Sequence, residues 1–262
     1  MAFRLVTLNL NGIRSAARKG FEAWAESANA DCMGVQELKA QAADVTESLQ
    51  KVADMPGHFH FAQKKGYSGV GLYTRQAPSA VIRGFGNPEF DAEGRWVEAR
   101  YDTARRKLSL ISCYFPSGSS GEDRQAAKFR FLALLYPHLM QLKAEREFIL
   151  LGDINIAHQA IDLKNWRGNQ KNSGFLPEER NWMTQLLTDG GLVDVFRKLN
   201  PHPEQYTWWS NRGQAWANNV GWRLDYHLAT PALAATARRE AIFLDQRFSD
   251  HAPLTIDYDF KL

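Results

Sequence analysis

Phe148-Ile149-Leu150-Leu151-Gly152-Asp153-Ile154-Asn155 is a run of apolar residues that ends in a glycine and polar side chains. A short apolar run bounded by a turn residue predicts a buried β-strand, here over residues 148–152. Asp153 and Asn155 follow this strand directly. Because α/β proteins tend to build their sites from residues at strand ends, these two side chains are candidates for catalysis.

Four other predicted strand ends also carry polar residues of catalytic type. Each signal is weak alone, since a single acidic residue after a strand is more often a cap or a surface group. Together they indicate a shared site at one edge of the fold. The residues are Asn9 and Asn11 after the first strand, Glu37 after the second, Tyr114 at the end of another, and Asp250 with His251 before the last.

Short β-rich runs alternate with helical segments along the chain, and this pattern predicts a strand-rich α/β fold. Strands are predicted over residues 3–9, 32–36, 69–74, 96–101, 107–114, 148–152, 206–210, 223–229 and 253–260. One amphipathic helix should begin after the capping residues Ser119 and Ser120 and bend at Pro137, and another should begin at Pro177. Their inward faces should carry Phe129, Leu132, Leu135 and Leu139 in the first helix, and Trp182, Leu186 and Leu187 in the second.

The 262 residues are 44% hydrophobic, which is enough for one sizeable core, and no repeat or linker-like segment interrupts them. We therefore expect a single domain over residues 1–262. The chain has no signal-peptide pattern and no apolar run of membrane-spanning length. Cys32 and Cys113 lie in strand-like apolar stretches, which favours buried, reduced thiols and a cytoplasmic protein that is not secreted.

The charge balance does not by itself indicate a nucleic-acid-binding protein, because 32 Lys and Arg against 29 Asp and Glu leave a net charge of only +3. A basic face would have to be local, and any single basic cluster is better explained as solvated surface. The candidate clusters are Arg14, Arg18 and Lys19, then Lys64 and Lys65, and then Lys164, Arg167 and Lys171.

A divalent metal ion is indicated by the kind of atoms that the strand ends supply. The carboxylates of Glu37, Asp153 and Asp250, with the amide oxygens of Asn11 and Asn155, form an all-oxygen set that suits a hard ion such as Mg²⁺. Phosphodiester hydrolysis needs such an ion, because negative charge builds on the phosphate oxygens and the leaving group. The set predicts a metal-dependent phosphodiesterase.

Other chemistries fit the sequence less well. The chain has no Gly-x-Ser-x-Gly elbow and no phosphate-binding loop of the Gly-x-x-x-x-Gly-Lys-Ser/Thr type, which argues against a serine hydrolase and an NTPase. Two cysteines cannot build a four-cysteine zinc site, and His58 with His60 is better interpreted as one exposed strand face than as a ligand pair.

Tryptophan residues leave two interpretations open. Trp24, Trp96 and Trp182 fit the usual role of packing in a core. Trp208-Trp209 and residues 221–226 interleave aromatic side chains with Arg and Asn, as stacking on nucleic acid would require. The residues alone do not decide between core packing and stacking in this second group.

At these residues the sequence resembles the exonuclease III family of apurinic/apyrimidinic (AP) endonucleases, within the DNase I-like endonuclease/exonuclease/phosphatase superfamily. The similarity is collinear from Leu5 to Tyr258. Its most specific parts are residues 35–39, 152–158, 221–226 and 249–253, and residues 161–175 are similar to the base-excision-repair branch in particular.

This resemblance implies a fold and an activity. The fold would be a four-layered α/β sandwich, with two packed mixed β-sheets flanked by helices and an active site at one rim. The activity would be hydrolysis of the DNA backbone 5′ to abasic sites, with 3′ to 5′ exonuclease and 3′-end-cleaning activities. The substrate would be double-stranded DNA with abasic sites or blocked 3′ ends, and the enzyme would be monomeric.

The resemblance also implies a role for each site residue. Glu37 would be the principal ligand of Mg²⁺, or of Mn²⁺ as a substitute, helped by Asp250 and the Asn11 position. Asp153 would be the general base, with Asn155 orienting the attacking water and Tyr114 assisting at the phosphate or leaving oxygen. His251, held by Asp225, would stabilise the charge of the transition state. Contacts to DNA would come from Asn9, Arg14, Lys19, Lys39, Tyr67, Asn165, Asn169, Asn172, Trp208, Arg212, Trp222 and Leu224.

Three positions depart from, or vary within, the family pattern. Asn11 stands where some members have Asp, which removes one charge from the metal site. Ser117 stands where some relatives have Asn near the scissile phosphate. Arg212 lies in the loop that relatives use to probe the DNA helix, and its side chain differs between them.

Two other functions were weighed against this one. A nucleic-acid-binding regulator that kept the fold and lost catalysis is the alternative, but it would not need all four of the residues Glu37, Asp153, Asn155 and Asp250. An inositol phosphate or lipid phosphatase would share the metal chemistry, yet it has no evident use for Trp208 and Trp222. We rank this phosphatase last.

Overall fold

The computed structural model describes residues 2–262, which form strands and helices in an order close to the predicted one. The strands are β1 Phe3–Asn9, β2 Cys32–Gln36, β3 Lys51–Val52, β4 Met55–His60, β5 Val70–Thr74, β6 Ala80–Arg83, β7 Trp96–Arg100, β8 Leu108–Tyr114, β9 Glu147–Asp153, β10 Val193–Asp194, β11 Trp208–Trp209, β12 Gly221–Trp222, β13 Asp225–Ala229, β14 Ala237–Ile242 and β15 Leu254–Tyr258.

Helices connect most of these strands. They are α1 Ile13–Arg18, α2 Phe21–Ala28, α3 Glu47–Gln50, α4 Pro88–Asp91, α5 Glu122–Glu145, α6 Trp166–Asn169, α7 Pro177–Thr188, α8 Val195–Leu199 and α9 Pro231–Ala234. Single 3₁₀ turns lie at Ala42–Asp44 and Ala160–Asp162.

The larger strands form two mixed sheets. One sheet has the order β14-β15-β1-β2-β5-β4-β3, and the other has the order β10-β13-β9-β8-β7-β6. β1 runs parallel to β2 in the first sheet, and β8 runs parallel to β9 in the second, while the other pairings are antiparallel. The carboxyl ends of each parallel pair therefore meet at one edge of their sheet. β11 and β12 form a separate two-stranded ribbon.

Successive side chains on a strand point to opposite faces of its sheet. Each central strand therefore contacts the layer on either side of it. On β1, Leu5 packs into the core between the sheets, whereas Val6 packs with α1 and α2 on the outside. On β9, Leu151 faces the inner core and Leu150 packs under α5 and α7. Both faces of the central strands are buried. The result is a four-layered α/β sandwich, which confirms the predicted fold class.

The long helix α5 differs from its prediction at the amino end. It begins at Glu122 behind Gly121, so Ser119 and Ser120 are not its caps. Gly121 has a φ of 122°, a conformation that glycine adopts without strain, and it takes the position that a capping side chain would otherwise fill. Pro137 lies inside the helix, which continues to Glu145.

The predicted inward faces of α5 and α7 are close to the observed ones. Leu132, Leu135, Leu139 and Leu186 are buried in the outer core. The other predicted members, Phe129, Trp182 and Leu187, are only partly buried and pack against that core.

Several elements had no strand prediction because they lie at sheet edges, where the apolar signal is weak. β6 and β14 are edge strands with mostly exposed side chains, and Arg and Glu dominate the middle of β14. β4 carries His58 and His60, which are partly buried and hydrogen-bonded rather than exposed. The predicted strand over residues 206–210 shortens to Trp208–Trp209.

Two predictions about the chain as a whole can be compared with the structure. Cys32 and Cys113 are free and buried, as predicted, and they lie on strands of different sheets. Over residues 2–262, no helix combines the length and the apolar character needed to cross a membrane.

Gly152 permits the closest backbone contact beside the predicted catalytic strand end. Its φ is 148°, and a Cβ atom there would lie 1.9 Å from the carbonyl oxygen of Cys113 on β8. We expect Gly152→Ala to lower the free energy of unfolding by about 2 kcal/mol or more, from overpacking and backbone strain. Gly168→Ala is the matched control, because nothing lies within 4 Å of its Cβ position. Denaturant unfolding of both variants tests this, and equal stabilities would contradict it.

Candidate active site

The polar strand ends meet at one rim of the sandwich and surround a cavity of about 200 Å³. The ends of β1 and β2 come from one sheet, and those of β8 and β9 from the other. β13 begins at the same rim, because Asp225 pairs with Asp153. The cavity is lined by Glu37, Tyr114, Ser117, Ser119, Asp153, Asn155, Ser173, Gly174, Trp208, Trp222, Leu224, Asp250 and His251.

Asn9 connects the two sheets beneath this cavity. Its Nδ2 donates to Glu37 Oε1 at 2.8 Å and to Asp153 Oδ2 at 2.9 Å. Asn9 is fully buried, so the structure places it below the cavity and not on a surface that could meet DNA. Both hydrogens of one amide group are used to hold two carboxylates from different sheets.

Asp153 is buried and is oriented by Asn155. The backbone nitrogen of Asn155 donates to Asp153 Oδ1 at 2.9 Å, and its side-chain Nδ2 donates to Asp153 Oδ2 at 3.2 Å. Burial raises the pKa of Asp153; the nearby carboxylates of Asp225 and Glu37 add to this, whereas His251 opposes it. A carboxylate held in this way accepts a proton more readily than an exposed one.

His251 forms a buried pair with Asp225. The His251 Nδ1 and Asp225 Oδ2 atoms lie 2.8 Å apart, and His251 Nε2 lies 3.7 Å from Asp153 Oδ2. Burial disfavours the charged ring, but the carboxylates of Asp225 and Asp153 outweigh it and raise the pKa of His251 to about 10. The raised pKa favours the protonated ring, and His251 lines the cavity.

Glu37 also lines the cavity and is paired with a cation. Lys39 Nζ is 2.6 Å from Glu37 Oε2 and 2.6 Å from Asn11 Oδ1, so an ammonium group stands between two of the predicted metal ligands. Burial opposes ionisation of Glu37, but Lys39 and Asn9 outweigh it and lower the pKa of Glu37. The carboxylate is ionised and already attracts positive charge.

Asp250 completes this side of the site. Asn11 Nδ2 donates to Asp250 Oδ1 at 2.8 Å, and Trp208 Nε1 donates to Asp250 Oδ2 at 3.0 Å. Burial opposes ionisation, yet the His251 charge and these hydrogen bonds lower the pKa of Asp250. Glu37, Asn11 and Asp250 thus present oxygen atoms of the kind that a hard divalent ion prefers.

A second acidic group with metal-ligand spacing lies nearby. Asp153, Asp225 and His251 offer ligand atoms within 4.8 Å of one another. This triad is a second candidate metal site, and it lies at the same rim as Glu37 and Asp250.

Several site residues have a left-handed backbone. Asn11, Glu37, Lys39 and Asn155 have φ values of 45°, 51°, 48° and 55°. Each such residue costs about 1–3 kcal/mol unless its surroundings compensate, and such strain tends to occur at functional sites. Here it follows strand ends, where the chain must turn sharply to place the side chain on the rim.

Trp208, Trp222 and Leu224 form an apolar wall of the cavity. Trp208 and Trp222 face each other across the β11–β12 ribbon with ring centroids 6.3 Å apart, and Leu224 lies beside them. Trp209, from the same dipeptide, is buried and packs on Trp216 instead, with centroids 4.4 Å apart. Trp209 therefore packs in a core, whereas Trp208 and Trp222 line the cavity.

A larger groove adjoins the cavity at Glu37, Tyr114 and Ser117 and has a volume of about 490 Å³. Tyr67 lines it, and the buried Arg95 donates to the Tyr67 hydroxyl at 3.0 Å. Arg95 also donates to the Tyr114 carbonyl oxygen at 3.0 Å, and so connects the two tyrosines.

The other residues with an implied DNA contact lie around the cavity and outside it. Lys19 lines a neighbouring groove that reaches Asp250, while Arg14 contacts Asp44 at 3.3 Å. Arg212 is exposed on the loop after β11. Asn165, Asn169 and Asn172 are joined in a chain of hydrogen bonds at the surface.

Sequence reasoning missed some residues that line the cavity or its groove. Ser119, Ser173 and Gly174 are brought there by loops, and no periodic pattern marks them. Arg95 is a buried arginine that directly precedes a strand-like run beginning at Trp96. Nothing in that run predicts a polar role for Arg95.

Comparison with known proteins shows the family of this chain. Residues 6–251 match the model of the Endonuclease/Exonuclease/phosphatase family. An exodeoxyribonuclease of Bacillus subtilis is 35% identical, with 97% of this chain and 98% of that protein covered. The DNA repair nuclease APEX1 of Danio rerio is also 35% identical, with 97% and 81% covered.

Solved structures give the same result. The AP endonuclease LMAP from Leishmania major superposes with a TM-score of 0.89 and 27% identity, covering 99% of this chain and 88% of that one. The 3′ phosphatase NExo from Neisseria, bound to a product DNA hairpin, has a TM-score of 0.86 and 26% identity, covering 99% and 100%. The chain therefore belongs to the endonuclease/exonuclease/phosphatase family, and within it to the AP endonucleases of the exonuclease III type.

Proposed function

We propose that this chain hydrolyses the DNA backbone on the 5′ side of abasic sites and also removes blocking groups from 3′ ends. The relatives of this chain include exonucleases, AP endonucleases and a 3′ phosphatase, and they identify it as a DNA repair nuclease. The observation that carries the abasic-site preference is the cavity itself, which is lined both by Glu37 and Asp153 and by an apolar wall that includes Trp222 and Leu224.

The small size of this cavity supports the preference. A sugar without a base is cheap to extrude from the duplex, because much of the unstacking and unpairing cost is absent. An apolar wall of Trp208, Trp222 and Leu224 can pack against the bare sugar and exclude one that carries a base. The carboxylate side would then face the phosphate of the extruded nucleotide.

The family depends on a divalent metal, and the residues of this chain fit one. We assign Glu37 as the principal ligand, with Asp250 and the Asn11 oxygen beside it. Oxygen atoms of Glu37 and Asn11 already contact the Lys39 ammonium group, and Asp250 is hydrogen-bonded to Asn11. Mg²⁺ is the proposed ion and Mn²⁺ a substitute. When bound, the ion would neutralise charge on the phosphate and the leaving oxygen.

Asp153 is the proposed general base. Its buried carboxylate has a raised pKa, and Asn9 and Asn155 fix its orientation. A base of this kind removes a proton from the attacking water as the water approaches phosphorus. Asn155 lines the same cavity, and we assign it the role of orienting that water.

Two proton donors face the phosphate. The imidazolium of His251 can donate from Nε2 to a phosphate oxygen, where negative charge increases in the transition state. Burial, with Glu37 and Asp153, raises the pKa of Tyr114 well above its ordinary value, so its hydroxyl keeps its proton and can donate too. The regulator without catalysis is not favoured, since this whole arrangement is present.

A direct test uses three labelled duplexes: one with a single abasic analogue, one intact and one with a 3′-phosphate. We expect one cut 5′ to the abasic analogue and loss of the 3′-phosphate, both only with added Mg²⁺ or Mn²⁺. Cleavage that persists in a chelator, or no cleavage of the abasic duplex with metal, would refute the proposal.

Glu37→Gln should abolish most turnover in dilute Mg²⁺ and leave duplex binding nearly unchanged, because it removes a charge that holds the metal and not a DNA contact. Excess Mg²⁺ should partly restore the rate. Glu98→Gln is the matched control, since Glu98 is a buried carboxylate on β7 that does not line the cavity. Rates at several metal concentrations give the answer, and an unaltered metal requirement in Glu37→Gln would exclude this ligand.

Trp222→Ala should open the pocket wall, lower incision at the abasic analogue and raise the relative rate on nucleotides that retain their base. Trp24→Ala is the control, because Trp24 packs in the outer core away from the cavity. We expect the control to lose stability without a change in the ratio of the two rates. If Trp222→Ala loses stability and keeps the wild-type ratio, Trp222 has only a packing role.

A further inference from the structure

A pair of charged side chains lies behind the active site, between α5 and α7. The Lys128 Nζ and Glu179 Oε1 atoms are 2.7 Å apart, and both side chains are fully buried. Burial of two charges is costly, and apolar residues of similar volume are often as stable or more so. Stability alone therefore does not explain why these residues occupy this position.

Glu179 holds the loop that forms one edge of the cavity. Its Oε2 accepts from the backbone nitrogen of Gly174 at 2.7 Å and from that of Leu176 at 3.1 Å. Gly174 lines the cavity, and a Cβ atom there would lie 3.3 Å from the ring of Trp222. The carboxylate thus sets how closely this loop approaches the pocket wall.

Glu179 also reaches the start of α5. Gln125 Nε2 donates to Glu179 Oε1 at 3.0 Å. Gln125 also packs under Gly118, since a Cβ atom on Gly118 would lie 1.9 Å from the side-chain oxygen of Gln125. Ser117 and Ser119, on either side of Gly118, line the cavity. One carboxylate therefore supports two loops of the site.

Lys128 holds the residue that orients the general base. Its Nζ donates to the backbone oxygen of Asn155 at 2.7 Å. Asn155 has a φ of 55° and donates to Asp153 from both its backbone and its side-chain nitrogen. The Lys128 ammonium group holds the carbonyl oxygen of this strained residue, and this contact keeps both nitrogen atoms of Asn155 directed at Asp153.

We propose that Lys128 and Glu179 are positioning residues for catalysis, whose buried pair fixes Asn155 against Asp153 and the Gly174 loop against the pocket. The kinetic effect of this role rests on the proposed function, whereas the geometry of the pair does not depend on it. Neither residue touches the cavity, so the pair acts through Asn155 and Gly174. Misplacement of a reacting group by about 1 Å can lower a rate by about 100-fold, so small shifts here should be measurable.

The test compares two double variants in which no charge is left unpaired. Lys128→Met with Glu179→Gln removes the donor to Asn155. Arg146→Met with Asp102→Asn is the matched control: Arg146 is a buried arginine at the other end of α5, and its Nη1 lies 2.9 Å from Asp102 Oδ1. We expect the first variant to lose about 10- to 100-fold in single-turnover rate. We expect its duplex dissociation constant to stay within about threefold, and the control to keep the wild-type rate.

A third variant restores a donor without charge. Lys128→Gln with Glu179→Gln places an amide N–H near the Asn155 oxygen, and we expect it to recover part of the rate lost in the Met variant. Equal rates for the Met variant and the control would overturn the proposal. It would also be overturned if the Met variant melted more than about 10 °C below the control, because the pair would then serve folding.

Amide hydrogen exchange separates this proposal from the proposed function. The Asn155 amide should exchange faster in the Lys128→Met, Glu179→Gln variant than in the control, because its hydrogen bond to Asp153 loses support. This measurement needs no substrate. Inactivity of the unmodified chain on the abasic duplex would refute the proposed function alone, whereas unchanged exchange at Asn155 would refute the positioning role alone.

Discussion

The site depends on one buried amide group, that of Asn9, which donates to Glu37 in one sheet and to Asp153 in the other. Two carboxylates brought close together in a buried place repel each other, and unpaired buried polar groups are costly. The two hydrogens of the amide satisfy one oxygen of each carboxylate. The rim at which the sheets meet can therefore hold both acids, and the cavity forms around them.

The same environment gives chemically similar residues different tasks. Lys39 and the His251 charge, helped by hydrogen bonds, lower the pKa values of Glu37 and Asp250, while burial raises that of Asp153. Ionised carboxylates suit a metal ion, and a carboxylate with a raised pKa suits proton transfer. The proposed division of roles rests on burial and neighbouring charge, because Glu37, Asp153 and Asp250 are acids of nearly the same intrinsic strength.

The layers outside the sheets also contribute to this arrangement. α5 and α7 cover the second sheet with apolar side chains, yet between them they bury Lys128 and Glu179, which reach the back of Asn155 and Gly174. The helices therefore do more than protect the sheet from water. They also supply hydrogen-bond partners for the Asn155 carbonyl oxygen and the Gly174 backbone nitrogen.

The sequence by itself determined the α/β class, most central strands and the main polar residues at the rim, because apolar runs that end in Asp, Asn or Glu are local signals. It could not show the edge strands β6 and β14, many of whose side chains are exposed. Nor could it show that Asn9 is buried between two carboxylates. Only the tertiary structure decided that contact and the Lys128–Glu179 pair, because both join residues far apart in the chain and depend on how the layers pack.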